Sequence, residues 1–355
     1  MRVSDPVALT LARHRAFWGC APADRPLTGI SRWSQISSGQ FDWGIPASDG
    51  TLEPDMLDVD RFLPQYEALY RDRGPLDGDL AWPAMPPTAI PWLEGMLGCP
   101  IRYSLPSGSF HAEPIAAEDP VAIEPAPLDV NPWFLKLLEF IEGLGRVSRG
   151  RFAVGLPLTR GPWDLVAALR GSTDLYVGLY DHPGDLQRLA ATCADLWVQV
   201  TRRLRSAIPR WHGGYVSFLG IWGPTFNPMP QDDASVSVSA DLYRRIMKRA
   251  DRRVARAWKR PILHLHSAGL QVLDDVLGEV LGTLRGGALN VDIDPSGPSV
   301  DALLPALRRV QARHIPLHLL AFDVDQARTL ATELAPAGLA VTYQPVDPAE
   351  ARWER

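Results

Sequence analysis

The chain is poor in cysteine. Three occur in 355 residues, Cys20, Cys99 and Cys193. They are far apart and form no C-x-x-C pair, which excludes a disulfide framework and a structural zinc knuckle and suits a reducing compartment. No apolar run approaches the ~20 residues of a membrane span. The opening MRVSDPVALTLARHRAFWGC lacks the apolar stretch of a secretory signal, so the expectation is a cytoplasmic protein without a membrane partner. Charge of one sign is missing too: 36 basic against 41 acidic residues leave a net charge of −5, and no basic stripe marks a nucleic-acid surface. No G-x-G-x-x-G follows a strand and no G-x-S-x-G forms a nucleophile elbow, which disfavours dinucleotide-binding and serine-hydrolase readings.

What is present is apolar sequence, proline and tryptophan. The hydrophobic fraction is 46%, ample for a large core, beside 33 prolines and 12 tryptophans. The prolines concentrate between Pro75 and Pro132, which excludes a long helix or a central strand there. Trp82, Trp92, Tyr103 and Phe110 are interleaved with them, so residues 75–132 read as an elaborate loop insertion packed over the core rather than a disordered linker.

The second half alternates strands and helices. Apolar, β-branched runs predict strands at Phe152–Leu156, Tyr215–Ile221, Ile262–His266, Leu289–Ile293, Leu317–Phe322 and Leu339–Tyr343, with earlier ones at Leu27–Ile30 and Ile101–Leu105. Between them, 3.6-residue periodicity predicts helices near Asp185–Leu204, Asp241–Lys259, Leu270–Leu281, Val300–Val310 and Asp325–Leu334. About eight parallel strands with helical crossovers make an α/β chain, a (β/α)8 TIM barrel spanning 1–355 as one domain with an elaborated Pro-rich N-terminal half. An open doubly wound sheet is the alternative.

Several segments resemble the uroporphyrinogen decarboxylase superfamily, which includes the haem-pathway decarboxylase and zinc-dependent methyltransferases that work with corrinoid proteins. The stretch ARHRAFWGCAPADRPLTGI, with Asp24, Arg25 and Pro26, is similar to the family's opening helix and first strand. Gly161–Pro162, Leu169–Arg170–Gly171 and Asp181–Pro183 match its middle segment in order and spacing. DDASVSVSADLYRRIMKRADRRV resembles its acidic turn and following helix, and PILHLHSAG the strand that ends His-x-Cys-Gly in the methyltransferases. The resemblance runs from about Arg13 to Asp292. It implies a barrel whose mouth performs methyl transfer or decarboxylation on a small-molecule substrate, with a corrinoid protein as partner in the first case.

The departures bear on the chemistry. The decarboxylase's N-terminal Arg-Gln-Ala-Gly-Arg has no equivalent. His266 falls on the methyltransferases' zinc-ligand histidine, but Ala268 falls on the cysteine after it, and no cysteine follows Cys193. A thiolate-rich zinc site cannot be built here. The expectation is therefore a histidine- and carboxylate-based site, with a divalent metal (zinc) as the possible cofactor.

In a barrel, chemistry sits at the C-terminal ends of strands. His264 and His266, two apart at such an end, face the same way and can bind a metal with a carboxylate or move protons. Their other reading is ordinary buried polar packing. Asp232 and Asp233, beyond the loop GPTFNPMPQDD, are acid, base or ligand candidates, with helix capping as the local alternative. Asp292, Asp294, His318 and Asp323 lie at strand ends with the same ambiguity. Arg160 and Arg151 can fork a substrate carboxylate, whereas Arg170 follows an apolar helical face and reads as structural. Trp222 and Phe226 are candidates for an aromatic substrate wall, or plain core. His111 and Glu113 share one side of an extended loop and are candidate lid contacts. The reading favoured is corrinoid-type methyl transfer, with His266, Asp233 and Asp232 catalytic, Arg160, Trp222, Phe226 and His111 binding substrate, and His264 and His266 holding metal. A decarboxylase or related lyase acting on a carboxylated small molecule or tetrapyrrole is the alternative, and a non-catalytic ligand-binding relative the third.

Overall fold

A computed structural model of the chain describes residues 5–31, 41–115, 123–284 and 286–344. Its centre is a parallel sheet of five strands in the order Ile262–His266, Ala288–Asp292, Leu317–Ala321, Leu339–Tyr343 and Leu27–Ile30. The N-terminal strand thus pairs with the C-terminal one, Leu27 opposite Ala340. Connections run through helices such as Val300–Ala312 and Val324–Glu333, each capped by the serine or aspartate before it.

The strands are buried on both faces, so their sequences read as continuous rather than alternating apolar runs. One face is aliphatic: Leu263, Leu265, Leu289, Val291, Leu319 and Val341 join the main core beneath the helices. The other carries a polar row. His264 pairs with Asn290 and Asn290 with His318 in the strand register, so all three project from the same side.

The remaining parallel pairings are two residues long: Pro83–Ala84 with Ala153–Val154, and Thr159–Arg160 with Pro230–Gln231. Hydrogen bonds from Ala81 to Gly220, Gly155 to Ala84 and Ile262 to Pro228 tie these pieces to one another and to the sheet. Among the described residues the five-stranded ladder is the only extended parallel one.

Three expected strands differ, the first being Phe152–Leu156, which shortens to Ala153–Val154. Tyr215–Ile221 is a hairpin in which Tyr215–Val216 pairs antiparallel with Trp222–Gly223. Gly220 adopts φ +75, open mainly to glycine, and turns the chain back. Ile101–Ser104 belongs to a separate antiparallel sheet with Asp49–Leu52 and Ser109–Ala112, because a short Leu105–Gly108 turn lets neighbouring segments pair directly. The proline-rich stretch is packed as expected: Trp82, Trp92 and Tyr103 lie in the main core.

The first helix, Pro6–Trp18, packs against the Trp222–Gly223 segment and the Leu27–Ile30 strand. Buried His14 bridges the two: its Nε2 is 2.6 Å from the Asp79 carbonyl, and its Nδ1 accepts from the Trp222 amide at 3.1 Å. Arg25, in the family-like Asp-Arg-x-Pro stretch, forks the Asp79 carboxylate.

No helix among the described residues is long and apolar enough to cross a membrane.

Candidate metal centre

The strand Ile262–His266 delivers His264 and His266, whose rings lie edge to face with centroids 4.8 Å apart. Opposite them, the short helical turn Asp233–Ser237 presents Asp233. The Nε2 atoms of both histidines are each 3.3 Å from Asp233 Oδ1. The three offer one ligand atom each within 4.8 Å of one another.

The other polar atoms of the trio are already engaged. His264 Nδ1 lies 2.6 Å from Asn290 Oδ1. Asn290 Nδ2 donates to Asp292 Oδ1 at 3.1 Å and faces His318 Nδ1 at 2.9 Å, while His318 Nε2 meets Thr342 Oγ1 at 3.0 Å. Because the Asn290 amide nitrogen is committed as donor, its oxygen accepts, and His264 Nδ1 carries the hydrogen. His266 Nδ1 lies 2.6 Å from Asp294 Oδ1, and Asp294 is itself fixed by Ser267 Oγ and the Ala268 amide. Asp233 Oδ2 accepts from Gln231 at 2.8 Å. In neutral imidazoles, both Nε2 lone pairs therefore point at a carboxylate oxygen. His264 Nε2 and Asp233 Oδ1 are buried with no hydrogen-bond partner. Such atoms are costly unless a cation sits among them.

Protons can take the cation's place. Burial opposes ionisation of Asp233, but His264 and His266 overcome it and hold the carboxyl well below its usual range. The nearby Asp233 carboxylate raises His266 to about 9 against the opposing effect of burial. His264 is penalised by burial yet raised by Asp233 and Asp292. A divalent ion can substitute for those protons, and the donor set of two imidazoles and one carboxylate is that of catalytic metal sites with open positions. The Nδ1 partners, Asn290 and Asp294, are the outer hydrogen bonds that orient metal-binding histidines.

Asp233 also lines a cavity of about 440 Å³ with Asp164, Arg160, Gln231 and Tyr176. Arg160 Nε is 3.2 Å from Oε1 of buried Glu94 in its wall. Asp164, pushed up to about 7 by burial and the nearby Asp233 charge, accepts from the Ala234 amide and so fixes the turn that carries Asp233.

The structure brings together His264, His266, Asp233 and, at the cavity, Arg160. It places the other candidates elsewhere. Asp232 points away from its neighbour and accepts from the Trp163 and Asp164 amides at the start of the helix Pro162–Arg170, the capping role open to it from sequence. Trp222 packs in a separate cluster with Leu11, Ala81 and Trp211, donating its indole N–H to the Trp211 carbonyl. Phe226 lies against Tyr215 and Trp258. Both are buried in core clusters, and neither lines the cavity beside Asp233. His111 is exposed on the antiparallel sheet, where its neighbour Phe110 reaches the cavity instead. Glu113 pairs with Arg102, Arg151 with Glu67, and Asp323 caps a helix. Sequence reasoning missed Asn290, Glu94 and Asp164. Asn290 sits two residues before Asp292 on a predicted strand, a buried-amide signal that was readable; Glu94 and Asp164 gave none.

No protein-family model matches the chain, and no curated protein matches it significantly in sequence. Among solved structures, a methyltransferase from Methanosarcina mazei superposes with a TM-score of 0.62 at 13% identity, covering 96% of this chain and 94% of that one. The likeness shows a shared fold over nearly the whole length.

Proposed function

We propose that the chain is a metal-dependent methyltransferase of the corrinoid-linked type, working on a closed (β/α)8 barrel that forms one domain. The observation that carries this reading is the convergence of His264 Nε2, His266 Nε2 and Asp233 Oδ1, with every other polar atom of the three committed elsewhere. The fold shared with a methyltransferase supports the reaction class.

Asp233, His264 and His266 would hold the ion. When bound, a divalent cation such as zinc supplies Lewis acidity that makes a thiol or hydroxyl acceptor nucleophilic near neutral pH. Two neutral imidazoles and one carboxylate leave a net positive centre, unlike a two-thiolate site, and so favour an anionic acceptor. Asn290 and Asp294 keep the imidazoles in the right tautomer and rotamer. The neighbouring cavity holds the acceptor and excludes water, and Arg160 and Gln231 orient its polar groups. The methyl donor would be a methylated corrinoid, presented by a partner protein.

Arg160 at the cavity favours one other reading, a lyase acting on a carboxylated small molecule, since a guanidinium is the usual carboxylate fork. The two are separated by incubating zinc-loaded protein with methylcobalamin and a panel of thiols. Thiol-dependent demethylation of the corrinoid, lost in His266→Ala, is the expected result. Demethylation at the uncatalysed rate, with carbon dioxide released from carboxylated candidates by metal-free protein, would replace it with the lyase.

A further inference from the structure

A second cavity, of about 690 Å³, lies between the helix Pro183–Ala207 and the helical segment Ala240–Arg256. Five guanidinium groups border it: Arg188, Arg249, Arg252, Arg253 and Arg256; none of its lining residues is acidic. Four of them come from KRADRRVAR, where spacings of three and four residues place them along one side of a helix. That is a local reversal in a chain whose net charge is −5.

The arginines are only partly neutralised. Arg188 pairs with Asp185, and Arg253 with Asp195. Arg252 approaches Glu279 no closer than 3.8 Å, and its Nε is buried without a hydrogen-bond partner. Arg249 and Arg256 make no ion pair or side-chain hydrogen bond among the described residues. Clustered cations repel, so three under-paired guanidiniums around one hollow are a cost unless an anion offsets it. The floor of the hollow is apolar, formed by Ala190, Ile246, Ala250 and the edge of Trp163. Gly184, in the first turn of the 25-residue helix, completes the rim, and the cap before it offers no side-chain acceptor to that turn. Asp185 in that first turn offsets the positive end of the helix, so the guanidiniums supply the field.

We propose that this cavity binds a small molecule carrying one or more phosphate groups on an apolar or planar body, with Arg249, Arg252 and Arg256 taking the phosphate oxygens and the alanine–isoleucine floor taking the body. Planar guanidiniums match phosphate bidentately, and 690 Å³ is within the usual range for a small-ligand site. The site is separate from Asp233, His264 and His266, none of which lines it, and it does not depend on their chemistry.

Calorimetric titration of the full chain with inorganic pyrophosphate, adenosine diphosphate and adenosine tests this. Pyrophosphate and adenosine diphosphate should bind, the latter more tightly, with affinity falling as salt is raised. In Arg249→Ala/Arg256→Ala binding should weaken roughly tenfold or more, and Arg249→Lys/Arg256→Lys should recover part of it. His264→Ala/His266→Ala should bind as the wild type does. Absence of binding at millimolar ligand would overturn the proposal. So would binding unchanged in the alanine variant, or binding lost with the histidines, which would move the anion to the metal centre. Retention on phosphatidylglycerol vesicles without pyrophosphate binding would assign the arginines to a lipid surface and equally overturn it.

Discussion

His264 Nε2 and Asp233 Oδ1 stand 3.3 Å apart, both buried, and neither has a hydrogen-bond partner. They come from different parts of the chain, a β-strand and the turn after a proline-rich loop, and His266 Nε2 is also 3.3 Å from the same oxygen. Leaving buried atoms unsatisfied costs about 1–3 kcal/mol each. A bound cation, or a proton shared between imidazole and carboxylate, relieves that cost, and metal binding separates the two.

Asn290 should act on metal through His264 alone. Asn290→Leu removes the acceptor that holds the His264 Nδ1 hydrogen. Metal affinity should fall by about 10–100-fold, the usual effect of losing such an outer hydrogen bond. Competition with a chromophoric zinc chelator measures it. Unchanged affinity would mean that His264 is not a ligand.

Adjacent aspartates should separate cleanly. Asp232→Ala removes the acceptor for the Trp163 and Asp164 amides and should cost about 1–3 kcal/mol in urea unfolding. The zinc bound per folded chain should stay the same. Asp233→Ala should lose zinc, and it should also lower stability, because the carboxylate is held ionised by His264 and His266 and accepts from Gln231.

His14 should make the fold acid-sensitive. Burial lowers it to about 4 from an ordinary 6.5, and its Nδ1 accepts the Trp222 amide, so a proton there would oppose a donor. The folded state resists a proton that the unfolded chain takes up. Stability from this group is complete above pH 6.5 and is lost as pH falls from 6.5 towards 4. Urea midpoints measured between pH 7.5 and 4.5 should decline in the wild type. His14→Gln should be less stable at neutral pH and decline less steeply.

Trp222→Ala should behave as a core mutation. The indole is 2% exposed and bonded to the Trp211 carbonyl. Its loss should cost about 3–5 kcal/mol, read by thermal or urea unfolding. Zinc content per folded molecule should not change.

The regular half of the fold is legible in the sequence, and the irregular half much less so. Leu339–Tyr343 and Leu27–Ile30 fall where the apolar runs end, because strands buried on both faces are written as continuous hydrophobic sequence. Tyr215–Ile221 is equally apolar, yet Gly220 folds it back. A run that short does not reveal its partner, and a positive φ at one glycine decides the outcome. In the site, His264 and His266 are readable from spacing, since period two puts them on one face. Asp233 against Asp232 is not, because which neighbour enters the site depends on Asp164, which binds the Ala234 amide and is fixed only in three dimensions. The same limit hid the arginine-lined cavity, since a balanced charge count is silent about where the cations gather.

Metal content tests the central claim most directly. Protein purified without added metal, then exposed to zinc and desalted, should retain about one equivalent. Asp233→Ala and His264→Ala/His266→Ala should retain none while keeping wild-type circular dichroism. Wild-type protein that stays metal-free while folded, or zinc that survives the loss of both histidines, would contradict the account.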